Sequence, residues 1–112
     1  MRLFLAVALV SMTFAATALA SPAGLLVIRQ TVTDYAKWRP AYDAHKSGRD
    51  DAGLSNCTVR SSVDNPNDVF VMCTMAGVAK AKAFASSKAL ADRMAAAGVV
   101  GKPDFYFTGP TR

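Results

Sequence analysis

Two unlike runs of alternating residues flank a turn between Asn56 and Met75. In the first, Asn56, Thr58, Arg60 and Ser62 alternate with Cys57, Val59, Ser61 and Val63, which describes a strand with one polar and one more apolar face. In the second, Val69, Val71, Cys73 and Met75 alternate with Phe70, Met72 and Thr74, so neither face is polar and both sides need cover. Asp64-Asn65-Pro66-Asn67-Asp68 packs five turn-favouring residues between them, and the pair reads as an antiparallel hairpin. Ala23 to Val32 forms a further strand, with Leu25, Val27 and Arg29 on one face and Leu26, Ile28 and Gln30 on the other. Arg29 and Gln30 interrupt the apolar pattern near its end, where the strand is expected to emerge into solvent. Asp104 to Thr108 is the last strand, with Phe105 and Phe107 opposite Tyr106.

The segments between these strands carry helical spacing. Thr33 or Asp34 caps a helix that reaches about Asp51. Pro40 removes a backbone donor, so a short turn through Trp38 is expected, followed by the main helix from about Arg39. Tyr35, Trp38, Tyr42, His45 and Arg49 recur every three or four residues and form one stripe toward the sheet. Val78 to Ser86 is a second helix, with Ala81, Phe84 and Ala85 inward. Ser86 or Ser87 recaps a further piece from Lys88 to Ala97, which turns Leu90 and Met94 inward and ends at Gly98. Gly98 to Pro103 reads as a connector.

The resulting order, β-α-β-β-α-β with the second helix broken, is the ferredoxin-like α+β plan: a four-stranded antiparallel sheet with helices on one face. Strands one and three lie in the middle, which suits a third strand apolar on both sides. The helix-free face then carries an apolar patch at Phe70 and Met72, and a second copy of the chain is the expected cover.

Residues Met1 to Ala20 read as a signal peptide, with Arg2 as the basic start, Leu3 to Val10 as the apolar core and Ala18-Leu19-Ala20 as the cleavage pattern. Ser11 and Thr13 interrupt the apolar run before it reaches the roughly 20 residues of a spanning helix. Residues 21–112 are then one domain, periplasmic or secreted, with no membrane attachment after signal removal. Arg2 is the one basic residue in the removed segment, so 12 basic residues face 8 acidic ones, all Asp, for a net +4. The basic residues are scattered and form no nucleic-acid patch. An RNA-recognition domain shares the element order, but VFVMCTM lacks the basic and aromatic motif its third strand needs.

Candidate chemistry is sparse. His45 is the only His, so no metal-ligand cluster is expected. It is either the edge of the helix stripe or a general base and hydrogen-bond partner for a ligand. Trp38, Tyr42 and Arg49 share its stripe and are core residues or the lining of a cleft. Arg29 and Arg60 point from strands toward any anionic group or enolate, and Tyr106 adds a hydroxyl. No P-loop, dinucleotide fingerprint or nucleophile elbow is present. Cys57 and Cys73 share one face of the hairpin, and export permits a disulfide. A turn centred on Asn65 sets them opposite each other. One centred on Pro66 sets Cys73 against Val59 and leaves Cys57 a diagonal neighbour about 7 Å away, too far to bridge. The middle of DNPND favours Pro66, and with it two small buried thiols.

Several stretches resemble the dimeric α+β barrel proteins, especially the small stand-alone members described as antibiotic biosynthesis monooxygenase-like or cyclase-like. They are V-x-D-Y-x-x-W at Val32 to Trp38, the following Tyr42, Asp43 and His45, D-x-P-N-D-V at Asp64 to Val69, K-A-x-A-F-A-S-S at Lys80 to Ser87, and A-G-V-x-G-x-P at Ala97 to Pro103. The resemblance implies a homodimer whose sheets face each other, with a small hydrophobic ligand between sheet and helices. Relatives often carry a His near the end of strand one, where this chain has Arg29-Gln30. The leading expectation is an exported homodimer that binds a small apolar or aromatic molecule, non-catalytic or of unassigned activity, at Trp38, Tyr42, His45 and the sheet, with Arg49, Phe70, Met72 and Tyr106 contributing. The alternative is a cofactor-independent monooxygenase or isomerase with His45 as base and Arg29 or Arg60 stabilising negative charge. Haem binding through His45 is a third reading; the first two involve no cofactor.

Overall fold

The computed structural model describes residues 23–111, and the signal segment expected over Met1 to Ala20 lies outside them. The elements run β1 (Gly24–Val32), α1 (Tyr35–Ala44), α2 (Lys46–Asp51), β2 (Leu54–Ser61), β3 (Asp68–Met75), α3 (Val78–Ala85), α4 (Lys88–Ala96) and β4 (Val99–Thr108). All strand pairings are antiparallel and the sheet order is β2-β3-β1-β4. This is the ferredoxin-like plan with strands one and three central. Strand alternation separates two faces. Leu26, Ile28, Gln30 and Val32 of β1 and Val69, Val71, Cys73 and Met75 of β3 are buried beneath the helices. Each fully buried large apolar side chain contributes roughly 1.5–3 kcal/mol, so this double row carries much of the stability. Arg29, Phe70 and Met72 project from the opposite side.

Asp34 caps α1, its side chain accepting from Ala36 N at 2.9 Å. Pro40 does not break the helix as expected. It sits on the exposed side of α1, and Ala36, whose carbonyl it leaves without a helical donor, is exposed as well. The interruption falls at His45 instead. There the Tyr42 carbonyl accepts from His45 N at 3.1 Å and from Arg49 Nη1 at 2.6 Å, so the broken ladder stays satisfied.

The last strand begins at Val99 rather than Asp104, and the expected connector is part of the sheet. Its pairing with β1 shifts register between Arg29 and Thr31, which admits residues 99–103 to the ladder. Gly98, at φ +90, turns α4 into this strand; a Cβ there would meet Thr33 Oγ1 at 2.7 Å.

The hairpin is centred on Asn65, not Pro66. Val59 faces Val71 and Ser61 faces Val69, while Asp68 N donates to Asn65 O and Asn67 N donates to Asn65 Oδ1. This register sets Cys57 opposite Cys73. The two are joined by a disulfide with their Cα atoms 4.1 Å apart, and they are not the free thiols the Pro66 register implied. The register slips between Ser55 and Thr58, and Asn56 takes φ 50. That bulge lets Leu54, three residues before Cys57, point to the same buried face.

Candidate functional site

α4 packs only partly against the sheet. Ser87 caps it by accepting from Leu90 N at 3.2 Å, and Leu90 and Met94 face inward, yet none of its residues is fully buried. A cavity of about 210 Å³ remains between this helix, the α1–α2 joint and the sheet. Ile28, Leu54, Val71, Phe84, Leu90 and Met94 supply its apolar walls, and Gln30, Tyr42, His45, Arg49 and Arg93 its polar positions. A more open groove of about 460 Å³ lies on the other side of α4, against the start of β4, and shares Ser87, Leu90 and Met94 with the cavity.

Two polar atoms distinguish the smaller cavity. Gln30 Oε1 and the Tyr42 hydroxyl are both buried and find no hydrogen-bond partner in the protein. Gln30 is only 5% exposed and, among the described residues, is the one buried polar residue of the core. A buried group left unpaired costs about 1–3 kcal/mol, a substantial fraction of a small domain's stability. An apolar residue would serve the fold better at this position. Tyr42 is held from several sides: Trp38 stacks on it with centroids 4.9 Å apart, and the Arg49 guanidinium carbon lies 3.8 Å from its ring centre. Burial pushes the phenol above its ordinary value, against the opposing pull of Arg49 and Arg39. The hydroxyl is therefore a neutral donor at physiological pH.

The residues singled out from the sequence divide into three groups. Tyr42, His45 and Arg49 line the cavity. Trp38, 3% exposed, belongs to the core behind Tyr42. Arg29, Arg60, Phe70, Met72 and Tyr106 stand on the helix-free face, because strand parity turns them away from the helices. His45 is thus not brought together with Arg29 or Arg60, and the expected base-plus-arginine arrangement does not form. Arg29 instead pairs with Asp68 at 3.2 Å, and its guanidinium carbon lies 5.6 Å from the Phe70 ring centre. Gln30, Arg93 and Gly48 belong to the cavity and were missed. The signal for Gln30 was available: it shares parity with Leu26 and Ile28, which puts it on the core face rather than in solvent. Among the described residues no three His, Cys or Asp side chains gather as a metal site, and no helix is long and apolar enough to cross a membrane.

Several solved structures share this fold. A mutant of SnoaB, a cofactor-independent oxygenase from Streptomyces nogalater, is similar at TM-score 0.58 and 13% identity, over 78% of this chain and 93% of that one. A candidate antibiotic biosynthesis monooxygenase from Bordetella bronchiseptica gives TM-score 0.63 at 12% identity, over 80% of this chain and 99% of the other. The monooxygenase ActVA-Orf6 of Streptomyces coelicolor, solved in complex with nanaomycin D, gives 0.56 at 17% identity, over 81% and 89%. The chain thus has the α+β fold of the antibiotic biosynthesis monooxygenase-like structures. No family model matches it, and no curated protein matches it significantly.

Proposed function

We propose that the chain binds a small aromatic molecule in the cavity between α4 and the sheet and oxygenates it without a cofactor. The observation that carries this reading is that Gln30 and Tyr42, each with a buried polar atom that finds no partner in the protein, both line the cavity. A phenol or enol would pair with them and bury its rings against Ile28, Val71 and Leu90. The monooxygenases that share this fold support the reaction class. In such a reaction an acidic CH2 of the substrate gives up a proton to a base, for which His45 is the available side chain. The carbanion passes electrons to O2, and the carbon becomes a carbonyl as the second oxygen atom leaves as water. Tyr42 would donate to the oxygen on which negative charge develops.

The helix-free face supports a homodimer: Leu25 and Tyr106 are about half exposed, at 47% and 51%, beside Phe70 and Met72. Export agrees with the Met1 to Ala20 segment and with the Cys57–Cys73 disulfide, since such bonds persist in oxidising compartments. A second reading, binding without turnover, is favoured by the amide of Gln30, which places a group that does not titrate on the cavity floor.

The test is oxygen uptake with anthrone, an aromatic ketone with an acidic CH2. Uptake above the uncatalysed rate that falls at least tenfold in His45→Ala supports oxygenation. Binding of anthrone with no uptake supports the second reading. Neither uptake nor binding overturns both.

A further inference from the structure

The charged side chains that line the cavity are all basic. Arg49 of α2 and Arg93 of α4 both line it, with His45 at the joint, and no Asp does. The ion pairs among the described residues are Arg29–Asp68, Arg39–Asp43, Lys46–Asp50 and Lys88–Asp92. Asp50 and Asp92, the sequence neighbours of the two cavity arginines, are therefore each engaged by a lysine one turn away. Arg49 and Arg93 have no carboxylate of their own.

Gly48 adds to this arrangement. It lies inside α2, where no turn requires a glycine, and a Cβ there would stand 3.1 Å from Arg93 Nη1. The absent side chain leaves room for the Arg93 guanidinium to rest against α2, at the mouth Arg49 also borders. The rest of the lining is largely apolar, with Gln30 and Tyr42 among its polar members.

We infer that the cavity selects a ligand bearing a carboxylate, held at the mouth between Arg49 and Arg93 while its rings lie under α4. The planar guanidinium fork matches a carboxylate, and charge-assisted hydrogen bonds are the strong ones. At about 210 Å³ the cavity falls below the roughly 300–1,000 Å³ of drug-sized sites, which fits a compact aromatic acid rather than a lipid or nucleotide. This inference rests on reading the cavity as the binding site and adds the class of ligand.

The experiment is calorimetric titration of the disulfide-intact protein with 2-naphthoate and with its neutral counterpart 2-naphthamide. Trp38, stacked on Tyr42, reports occupancy of the cavity by its fluorescence. The expected result is at least tenfold tighter binding of naphthoate, weakened by salt, with the preference falling toward unity in Arg93→Gln and in Gly48→Ala. Arg93 is exposed, so its replacement leaves the fold intact. Equal affinities, or a preference that survives Arg93→Gln, overturn the inference while leaving a neutral binding site in place. If neither probe binds with a Trp38 signal, the cavity reading itself falls and the inference with it.

Discussion

Arg49 covers Tyr42 twice: its guanidinium carbon lies 3.8 Å from the ring centre, and its Nη1 donates to the Tyr42 carbonyl at 2.6 Å. One side chain thereby completes the interrupted helix and fixes the phenol in the cavity wall. What the phenol lacks is a partner for its hydroxyl.

Tyr42→Phe keeps the stack and removes that hydroxyl. Stability in urea is expected to stay within about 1 kcal/mol of the wild type or to rise, because no protein hydrogen bond is lost. Affinity for a phenolic ligand should fall about tenfold, a ratio equivalent to about 1.4 kcal/mol. A destabilisation well beyond 1 kcal/mol would mean that the hydroxyl is satisfied in the folded protein.

The same residue sets a pH dependence. Burial holds the folded phenol above its ordinary value of 10, so the unfolded chain loses this proton first. The contribution is constant below about pH 10 and is lost as pH rises from there through the folded value. Urea midpoints measured between about pH 9 and about pH 11 should therefore move against the wild type relative to Tyr42→Phe. Parallel curves for the two proteins would sink the assignment.

Gln30→Met, similar in length and without the amide, should stabilise the protein by about 1 kcal/mol by removing an unpaired buried acceptor, and should weaken ligand binding. Opposite changes in stability and binding are the mark of a residue kept for its ligand. If both fall together, Gln30 has a structural partner.

Replacing Cys57 and Cys73 by Ala removes a bridge across a sequence separation of 16. A loop of that length is worth about 3 kcal/mol in the unfolded chain, so a urea midpoint lowered accordingly is expected. A midpoint equal to that of the oxidised wild type would show that the sheet holds β2 without help.

Met72→Asp puts a charge on the helix-free face among Phe70, Leu25 and Tyr106. Sedimentation should show a dimer for the wild type and a monomer for the variant. An unchanged dimer would place the interface elsewhere.

Much of this fold was legible in the chain, because strand alternation and helix spacing are local. Asp34, Ser87 and Gly98 mark their boundaries by capping or by a left-handed turn, and β3 declared its central position by being apolar on both faces. What was not legible depended on contacts between distant segments. The bulge at Asn56 and the Asn65 centre decide whether two cysteines meet, and both are settled by pairing across the whole hairpin. Pro40 leaves the helix unbroken because the carbonyl it deprives of a donor belongs to the exposed residue Ala36. The candidate site divided for a related reason. Spacing placed Tyr42, His45 and Arg49 together, but Arg29 and Arg60 were grouped with them by chemistry although their parity sends them to the other side. Gln30, one residue along, is the polar strand residue that lines the cavity.

The Cys57–Cys73 bridge has a consequence for how the chain avoids error. A hairpin slipped by one residue would turn every side chain of β2 to the wrong side of the sheet, exchanging Val59, which packs against the core, for Arg60. In that arrangement the two sulfurs point to opposite sides and cannot close. Oxidation of the hairpin thus acts as a proofreading step: the covalent bond forms in the register that keeps the cavity face and the helix-free face distinct, and a misaligned molecule is left with two unreacted thiols.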